Sequence, residues 1–579
     1  MIRTDFHHLA SPASVTAFIL LLLTPYIFPA FFPFDVNLIL ASAAAALFAA
    51  SIMFQNRWIY LSKPLCAAFL VILFIQLFLL SSDQLLAVET WRLQTIQYLM
   101  VFIMLIIGAS VASTSLIYWM KAYIAIAVSW GVVGLFVWLG GTSGDALQIG
   151  TVTLAMPPAL KVAGPFNQGN IFAAAIGFAW LFSHWLYLQQ KSPIYAVCII
   201  LFTALLFDTL SRSAWIAFLF TLALLLISLK PDRVLFTKKL IPFWLTGLAV
   251  GALLFEFSNP SGDHQDIALV TQTASASLTA RIFIWVTAIA EFISAPLTGV
   301  GWGQFQPEFW VARPAAMAWI SSNLHMDIPF SHVPYSAHNI FLHALAEAGL
   351  VAFIILCWGI YKLGHATIRL ISKGDNIRLP FALAACAFVI QSQLNIVFHR
   401  PMMLMVAAFF AGIALAPWLW QNSWKVKLKP SVKLVSIVSA GLLLIWSSQL
   451  TLQWFKLEQA IINLNIEDKA SVENLVGFIP HPRMGPLSLT WLGFTAAREQ
   501  QHLPLLKWMV PYLKPSLNEV PSVLAHQVLF YSLSFSQEFE EACRIGKVIS
   551  SQKFPGEKNN AAYEKACESR QAVKYIFGY

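Results

Sequence analysis

Charged residues are scarce in this sequence, and their scarcity excludes a soluble globular protein. Of the 579 residues, 11% are Asp, Glu, Lys or Arg and 58% are apolar, whereas soluble domains carry about 25% charged residues. Apolar runs of about 20 residues recur from residue 14 to residue 450, and a helix of about 20 residues crosses a hydrocarbon core of about 30 Å. The composition therefore predicts a polytopic helical membrane protein.

Two other patterns are missing. The sequence lacks the short segments of alternating polar and apolar residues that are typical of outer-membrane barrels, so helices remain as the way to satisfy backbone groups in lipid. It also lacks a long basic run with interleaved aromatic residues, although the net charge is +9. Nucleic acid is therefore not expected as a partner.

The apolar runs and the residues that interrupt them predict thirteen transmembrane helices, and hence an all-α integral membrane fold. The predicted spans cover residues 14–33, 36–54, 64–81, 94–111, 117–139, 168–188, 194–209, 214–229, 240–256, 340–360, 379–397, 402–420 and 434–450.

The distribution of Lys and Arg predicts the orientation of these spans, because cytoplasmic loops carry the excess of positive charge. The alternate set of loops that includes the N-terminus holds 17 Lys and Arg residues, and the other set holds six. The N-terminus is therefore predicted to be cytoplasmic. The loop 257–339 and the tail 451–579 then lie on the opposite side, where the polar tail is expected to form a small helical domain.

The six cysteines fall into two groups. Four lie within or at the end of predicted spans, where they are expected to be small buried residues: Cys66, Cys198, Cys357 and Cys386. Cys543 and Cys567 lie 24 residues apart in the tail, on two consecutive helical stretches. An oxidising periplasm would permit a disulfide between them, and the sequence predicts that this bond joins a helical hairpin.

Polar residues at the edges of the predicted spans collect on the non-cytoplasmic side. A polar group in such a position is costly and is therefore a candidate for function. Separate segments contribute the amides and cations of this set: Gln168 and Asn170, Arg212, Arg281, His338 with Asn339, and His399 with Arg400. Few carboxylates accompany them, so a cavity built from these segments would suit an anion.

The cationic members of this set match a phosphate ligand. A guanidinium binds phosphate oxygens bidentately and stays charged, while a neutral His near pH 7 can accept a hydroxyl proton. Arg212, Arg281 and His338 therefore suit a lipid-linked diphosphate better than a free sugar. The alternative that stays open is that the arginines only anchor helix ends among lipid headgroups.

Two motifs in the large loop give no sign of a cofactor or a metal. The turn from Gly299 to Phe305 resembles a phosphate-binding glycine loop, but no strand precedes it and no Lys-Ser/Thr follows it, so a tight surface turn is predicted. Four histidines follow at spacings that do not match a zinc site: His325, His332, His338 and His343. No acidic pair is present to hold a divalent ion, and neither metal nor cofactor is expected.

The run from His338-Asn339 to Glu347-Ala-Gly349 resembles the His-Asn signature of the membrane glycan polymerase and ligase superfamily. This superfamily includes O-antigen ligases, O-antigen polymerases and PglL-type protein O-oligosaccharyltransferases. Three other segments are similar to its motifs and occur in the same order: Gly164 to Asn170, Ser211-Arg212-Ser213, and Arg281 to Trp285 with the following turn. Together they cover roughly residues 150 to 420.

The resemblance implies a GT-C-like membrane glycosyltransferase of the bacterial inner membrane that moves a glycan from undecaprenyl diphosphate on the periplasmic side. It implies that His338 is essential, either activating the acceptor hydroxyl or stabilising the diphosphate. Arg212 and Arg281 would hold the diphosphate, and Gln168 would line the same cavity. The family also carries a tyrosine in a segment that here reads Ser392 to Pro401, where His399 or Arg400 is the predicted substitute.

Four regions follow from the spans and the resemblance. They are an N-terminal membrane region of about nine helices (1–256), a large periplasmic loop (257–339), a second membrane region of about four helices (340–450) and a periplasmic helical domain (451–579).

The acceptor is the point on which the enzyme alternatives differ. The long tail resembles PglL-type enzymes and favours a Ser or Thr hydroxyl of a periplasmic protein such as a pilin. Ligation to the lipid A core and polymerisation of the glycan itself stay open as alternatives. A transporter of lipid-linked glycans is the non-enzymatic alternative, but such proteins place polar groups near the bilayer midplane and show inverted repeats, and neither pattern is evident in this sequence.

Overall fold

The computed structural model describes residues 11–26, 33–56, 58–111, 113–140, 147–149, 152–154, 162–166, 168–228, 240–258, 265–325, 333–373, 377–462, 510–511, 513–514, 517, 521, 523–535 and 538–551. Helices dominate this part of the chain. In chain order they are α1 (Pro12–Leu23), α2 (Pro33–Gln55), α3 (Lys63–Ser81), α4 (Val88–Ser110), α5 (Leu116–Gly140), α6 (Gly169–Gln190), α7 (Pro193–Asp208), α8 (Arg212–Ile227), α9 (Leu240–Ser258), α10 (Gln265–Ser294), α11 (Phe305–Leu324), α12 (Ile340–Lys373), α13 (Leu379–Gln391), α14 (Pro401–Gln421), α15 (Pro430–Ile462), α16 (Val523–Phe535) and α17 (Phe539–Ser551).

Each predicted span overlaps a helix of the described residues, although the helix in the predicted span 379–397 ends at Gln391. Within the described residues, eight helices are long and apolar enough to cross a membrane, and five shorter apolar helices occupy the remaining predicted positions. A predominantly helical membrane architecture is therefore confirmed, while the count of thirteen crossings stays a prediction. The large loop is not an open connection, since it contains α10 and α11.

Four short strands were not predicted. β1 (Trp58–Ser62) pairs antiparallel with β4 (Ser423–Lys427), and β2 (Leu147–Ile149) pairs with β3 (Val152–Leu154). β1 and β4 are five residues each and lie far apart in the chain, so neither gives a local signal strong enough to be separated from a loop. Their pairing is decided by helices that bring the two loops together.

Small residues determine how closely the central helices pack. A Cβ on Gly108 of α4 would lie 2.2 Å from the carbonyl oxygen of Phe409, and one on Gly412 of α14 would lie 2.1 Å from that of Leu105. Glycine at both positions therefore lets the two backbones touch, as is common between membrane helices. Aromatic rings fill the space beside this contact, for example Phe18 edge-on to Trp119 at 5.4 Å.

The helix bundle has two distinct ends. α14 begins at Pro401, next to the candidate site residues His399 and Arg400, and its 21 residues run to Gln421. A helix of that length spans about 31 Å, enough to cross the hydrocarbon core. At its far end the Trp420 indole N–H donates to the carbonyl oxygen of Ala109 near the end of α4, at 2.7 Å.

The tail contains helices where the sequence predicts them. α17 (Phe539–Ser551) covers most of the predicted helical stretch 536–550, and Cys543 within it is disulfide-bonded. The second predicted stretch, 560–573, and Cys567 lie outside the described residues. The pairing of Cys543 with Cys567 therefore stays a prediction.

Candidate functional site

The segment from Gln391 to Arg400 connects α13 to α14 at the end of the bundle that carries the candidate site residues. We call this end the site end. The segment's polar groups bond to the starts of three other helices. The Gln391 amide donates to the carbonyl oxygen of Asn170 at 2.9 Å, and the Asn395 amide donates to the Ser213 hydroxyl. Two bonds tie the segment to the start of α12: the Asn339 amide donates to the carbonyl oxygen of Gln393 at 3.1 Å, and the backbone N–H of Ile340 donates to the carbonyl oxygen of Ser392 at 3.0 Å. The predicted site segments are thus brought together although they lie far apart in sequence.

Arg212, Arg281 and His338 form the cationic part of this end. Burial, together with the charge of Arg281, lowers the pKa of His338 to about 4. Burial also lowers the pKa of Arg281, and Arg212 adds to that effect. Because the interaction of two charges weakens with distance, these effects indicate that Arg281 lies near both Arg212 and His338.

A hydrogen bond from α10 explains the position of Arg281 relative to His338. The indole N–H of Trp285 donates to the carbonyl oxygen of Ala337 at 3.1 Å. Trp285 and Arg281 are four residues apart and therefore share one face of α10. The Arg-Ile-Phe-Ile-Trp motif thus fixes α10 against the residue that precedes His338.

The backbone of His338 is in a conformation that side chains adopt rarely. Its φ is +53°, in the left-handed region. The N–H of His338 donates to the Ser336 hydroxyl at 3.3 Å. Such conformations cost of order 1 kcal/mol or more and concentrate at functional sites, and here the turn directs His338 away from the helix that begins two residues later.

Asn339 has a structural role in addition to its predicted place in the cavity. Its side-chain oxygen accepts the backbone N–H groups of Phe341 (2.9 Å) and Leu342 (3.1 Å), which caps the start of α12. Its amide nitrogen is the group that bonds to Gln393. The His-Asn pair therefore combines a candidate catalytic residue with the cap that holds it.

Gln168 and Asn170 lie at the start of α6. Gln168 occupies the position before the first helical residue, and its side chain makes no capping hydrogen bond there. The carbonyl oxygen of Asn170 is held by Gln391. The structure places both residues at the site end.

Tyr335 is a site residue that the sequence analysis missed. Its ring lies 4.8 Å from the ring of His399. Burial raises the pKa of Tyr335, and the positive charge of Arg400 opposes that rise. The only local signal was its position three residues before His338, so its approach to His399 and Arg400 could not be read from the sequence.

The glycine turn is not a phosphate cradle, because its amides are already bonded to the protein. The N–H groups of Val300 and Gly301 donate to the carbonyl oxygens of Ala346 and Glu347, at 2.9 Å each. The N–H of Trp302 donates to the Gln76 side chain at 2.8 Å. The predicted surface turn therefore packs against α12 and is hydrogen-bonded to it.

Glu347 holds the other side of this turn. One carboxylate oxygen accepts the Phe305 N–H at 3.2 Å, and the other lies 3.5 Å from Nε2 of His343, with both side chains buried. His343 thus lies beside Glu347, and His332 lies outside the described residues. Within the part of the chain that the structure describes, no group of three or more His, Cys, Asp or Glu is arranged to hold a metal ion.

A comparison with protein families identifies the region that contains this geometry. Residues 196–357 match the O-antigen ligase family model. The matched region includes Arg212, Arg281, His338 and Asn339, and the match supports the superfamily that the motifs resemble. It indicates an enzyme that transfers glycans from a lipid-linked donor to an acceptor. No curated protein matches the chain.

Proposed function

We propose that this protein transfers an oligosaccharide from undecaprenyl diphosphate to a Ser or Thr hydroxyl of a periplasmic protein such as a pilin, in the bacterial inner membrane. The observation that carries the proposal is the meeting of Arg212, Arg281 and His338 at one end of the bundle, inside the matched region. Two guanidinium groups beside a neutral imidazole match a diphosphate leaving group next to a hydroxyl acceptor.

The reaction needs one bond to form and one to break. The acceptor oxygen attacks the anomeric carbon of the donor sugar, and the bond from that carbon to the diphosphate oxygen breaks. Arg212 and Arg281 stabilise the negative charge that develops on the diphosphate. The proton of the acceptor hydroxyl passes to His338, which is uncharged at pH 7 because its pKa is about 4.

Donor binding would prepare His338 for this step. In the free protein, burial and the nearby Arg281 disfavour the protonated imidazole. A bound diphosphate brings negative charge between the arginines and His338, which favours the imidazolium. His338 then becomes a stronger base when the donor is in place, and activation of the acceptor is coupled to donor binding.

The tail supports a protein acceptor. Trp310 of α11 stacks on His526 of α16, with ring centroids 4.5 Å apart and planes 12° apart. The tail therefore packs on the large loop that leads to His338. A folded periplasmic protein that bound the tail would lie close to the loop and the site.

O-antigen ligation is the second candidate, and the description of the matching family favours it. The two functions share the donor and the proposed roles of Arg212, Arg281 and His338. They differ in whether the acceptor is a protein hydroxyl or a sugar of the lipid A core.

Intact-mass spectrometry of periplasmic proteins distinguishes these functions. We would compare a host that expresses the intact protein with one that expresses His338→Ala, and analyse lipopolysaccharide in both. The proposal predicts that a protein loses a glycan mass in the variant while lipopolysaccharide is unchanged. O-antigen lost from lipopolysaccharide, with proteins unmodified in both hosts, would establish ligation or polymerisation instead.

A further inference from the structure

The end of the bundle opposite the candidate site carries a dense group of basic residues. Three segments meet there, 55–63, 361–378 and 421–433, which contain two, four and four Lys or Arg residues and a single acidic residue, Asp375. The backbone N–H of Lys63 donates to the carbonyl oxygen of Asn422 at 2.8 Å, and the Lys433 ammonium donates to that of Phe54 at 2.8 Å. We call this group the basic end.

Aromatic rings lie directly beneath these cations. Each of five basic side chains lies over a ring, with distances measured to the ring centroid: Lys63 over Trp424 (5.8 Å), Lys362 over Trp418 (5.4 Å), Arg378 over Trp420 (4.9 Å), Lys425 over Trp58 (4.8 Å) and Lys433 over Phe54 (5.9 Å). Trp and Tyr rings concentrate at the headgroup level of membranes. The pattern therefore indicates an interfacial layer of rings with ammonium groups above it.

The two-stranded sheet orders part of this layer. Lys425 is opposite Tyr60 and Lys427 is opposite Trp58, and because side chains alternate along a strand, these four share one face. The other face carries Ile59, which is buried, and its partner Val426. The sheet therefore holds two ammonium groups and two rings together on the same side.

The ammonium groups of β4 and the start of α15 are available to an external anion. Lys425, Lys427 and Lys429 are exposed and Lys433 is half-buried, and none of the four forms an ion pair with a carboxylate among the described residues. Exposed apolar side chains lie beside them, including Trp424 (53% exposed) and Leu434 (63%). A ligand that satisfies both features has an anionic headgroup and an acyl chain.

We propose that the basic end is a binding site for anionic phospholipid of the surrounding membrane, with the headgroup phosphate on Lys425, Lys427 and Lys433 and an acyl chain against Leu434. Lysines near an anionic membrane surface each favour binding, by about fivefold per residue. The ring beneath an ammonium fixes the cation at the headgroup level without neutralising it. This inference does not depend on the identity of the glycan acceptor.

Native mass spectrometry of the full-length protein tests the proposal. The protein would be released from nanodiscs of equal phosphatidylglycerol and phosphatidylcholine, and the retained lipids counted. We expect the intact protein to retain phosphatidylglycerol preferentially and Lys425→Gln/Lys433→Gln to reduce that preference about 25-fold, which is about fivefold for each lysine. The control is Lys121→Gln/Lys547→Gln, which removes the same charge from two exposed lysines outside the basic end and should keep the preference.

Two further arms make the result decisive. Soluble glycerol phosphate should not displace the retained phosphatidylglycerol, because it lacks the acyl chain; displacement would mean a site for small anions and would overturn the proposal. Equal loss of the preference in both double variants would show that net charge alone attracts the lipid, which would also overturn it. Thermal unfolding of each variant in detergent confirms that the proteins compared are folded.

Discussion

At the scale of single residues, the site depends on an imidazole that burial and the charge of Arg281 keep uncharged. His338 has a left-handed backbone, a neighbour in Arg281 and a pKa near 4. Its sequence position identified it as a candidate, but its protonation state follows from burial and from the charge of Arg281. The hydrogen bond from Trp285 to Ala337 holds the helix that carries Arg281 next to His338.

The pH dependence of the reaction tests this arrangement. If neutral His338 accepts the proton, kcat/KM, which reports the free enzyme, should fall on the acid side only as the pH approaches about 4. Arg281→Gln removes one cause of the lowered pKa, so the acid limb should move up, toward the ordinary value of about 6.5. The measurement is kcat/KM from pH 4 to 8, each profile normalised to its own maximum.

The matched control for this profile is Arg369→Gln, an exposed arginine in the half of α12 away from the site. It should leave the acid limb in place. An acid limb that is the same in Arg281→Gln and the intact protein would show that Arg281 does not act on the titrating group.

At the scale of elements, α12 and the glycine turn depend on each other. α12 is interrupted at Gly349, whose φ is +71°, and the turn enters this interruption with Gly299 at +68°. The N–H of Leu350 donates to the carbonyl oxygen of Pro296 at 2.9 Å. The kink thus joins the large loop to the helix that His338 precedes.

Alanine at either glycine should disrupt this joint. A Cβ at Gly349 would lie 2.4 Å from the carbonyl oxygen of Leu297, and one at Gly299 would lie 2.4 Å from the backbone nitrogen of Ala348. Backbone cannot move aside cheaply, so we expect Gly299→Ala and Gly349→Ala each to destabilise the fold by about 1–3 kcal/mol. Thermal unfolding in detergent measures the change.

Gly359→Ala is the control from the same helix, since a Cβ there meets nothing within 4 Å. Alanine favours helix over glycine, so its unfolding temperature should equal or exceed that of the intact protein. Unchanged unfolding temperatures in both Gly299→Ala and Gly349→Ala would contradict the proposed joint.

At the scale of the whole molecule, the site and the basic end lie at opposite ends of the same helices. α3 begins at Lys63 in the basic end and ends at Ser81. Six residues later, the Ala87 N–H donates to the side-chain oxygen of Gln304, in the glycine turn, at 2.7 Å. The positive-inside distribution then predicts that the basic end faces the cytoplasm and the site faces the periplasm.

Accessibility of single cysteines tests this orientation. In a background whose four free cysteines are replaced by serine, Ser82→Cys should react with a membrane-impermeant maleimide on intact bacterial cells, because its position is exposed at the site end. Lys427→Cys should react only after the membrane is permeabilised. The reverse pattern would invert the predicted topology and place the site in the cytoplasm.

The sequence by itself determined the features that repeat or that carry chemistry within a few residues. Long apolar runs predicted the helices because lipid permits little else, and the His-Asn, Ser-Arg-Ser and Arg-Ile-Phe-Ile-Trp motifs predicted His338, Arg212 and Arg281. The asymmetry of Lys and Arg predicted that loops 55–63 and 421–433 share one side, and the pairing of β1 with β4 brings them together.

Only the tertiary structure decided the contacts between residues that are distant in the chain. Tyr335 meets His399, Glu347 meets the glycine turn, and Asn395 meets Ser213 because helix packing brings their segments together. The glycine motif was predicted to be a turn, but only the fold shows that α12 accepts its amide hydrogens. A local pattern records which groups a segment offers, whereas the partner of each group depends on the whole fold.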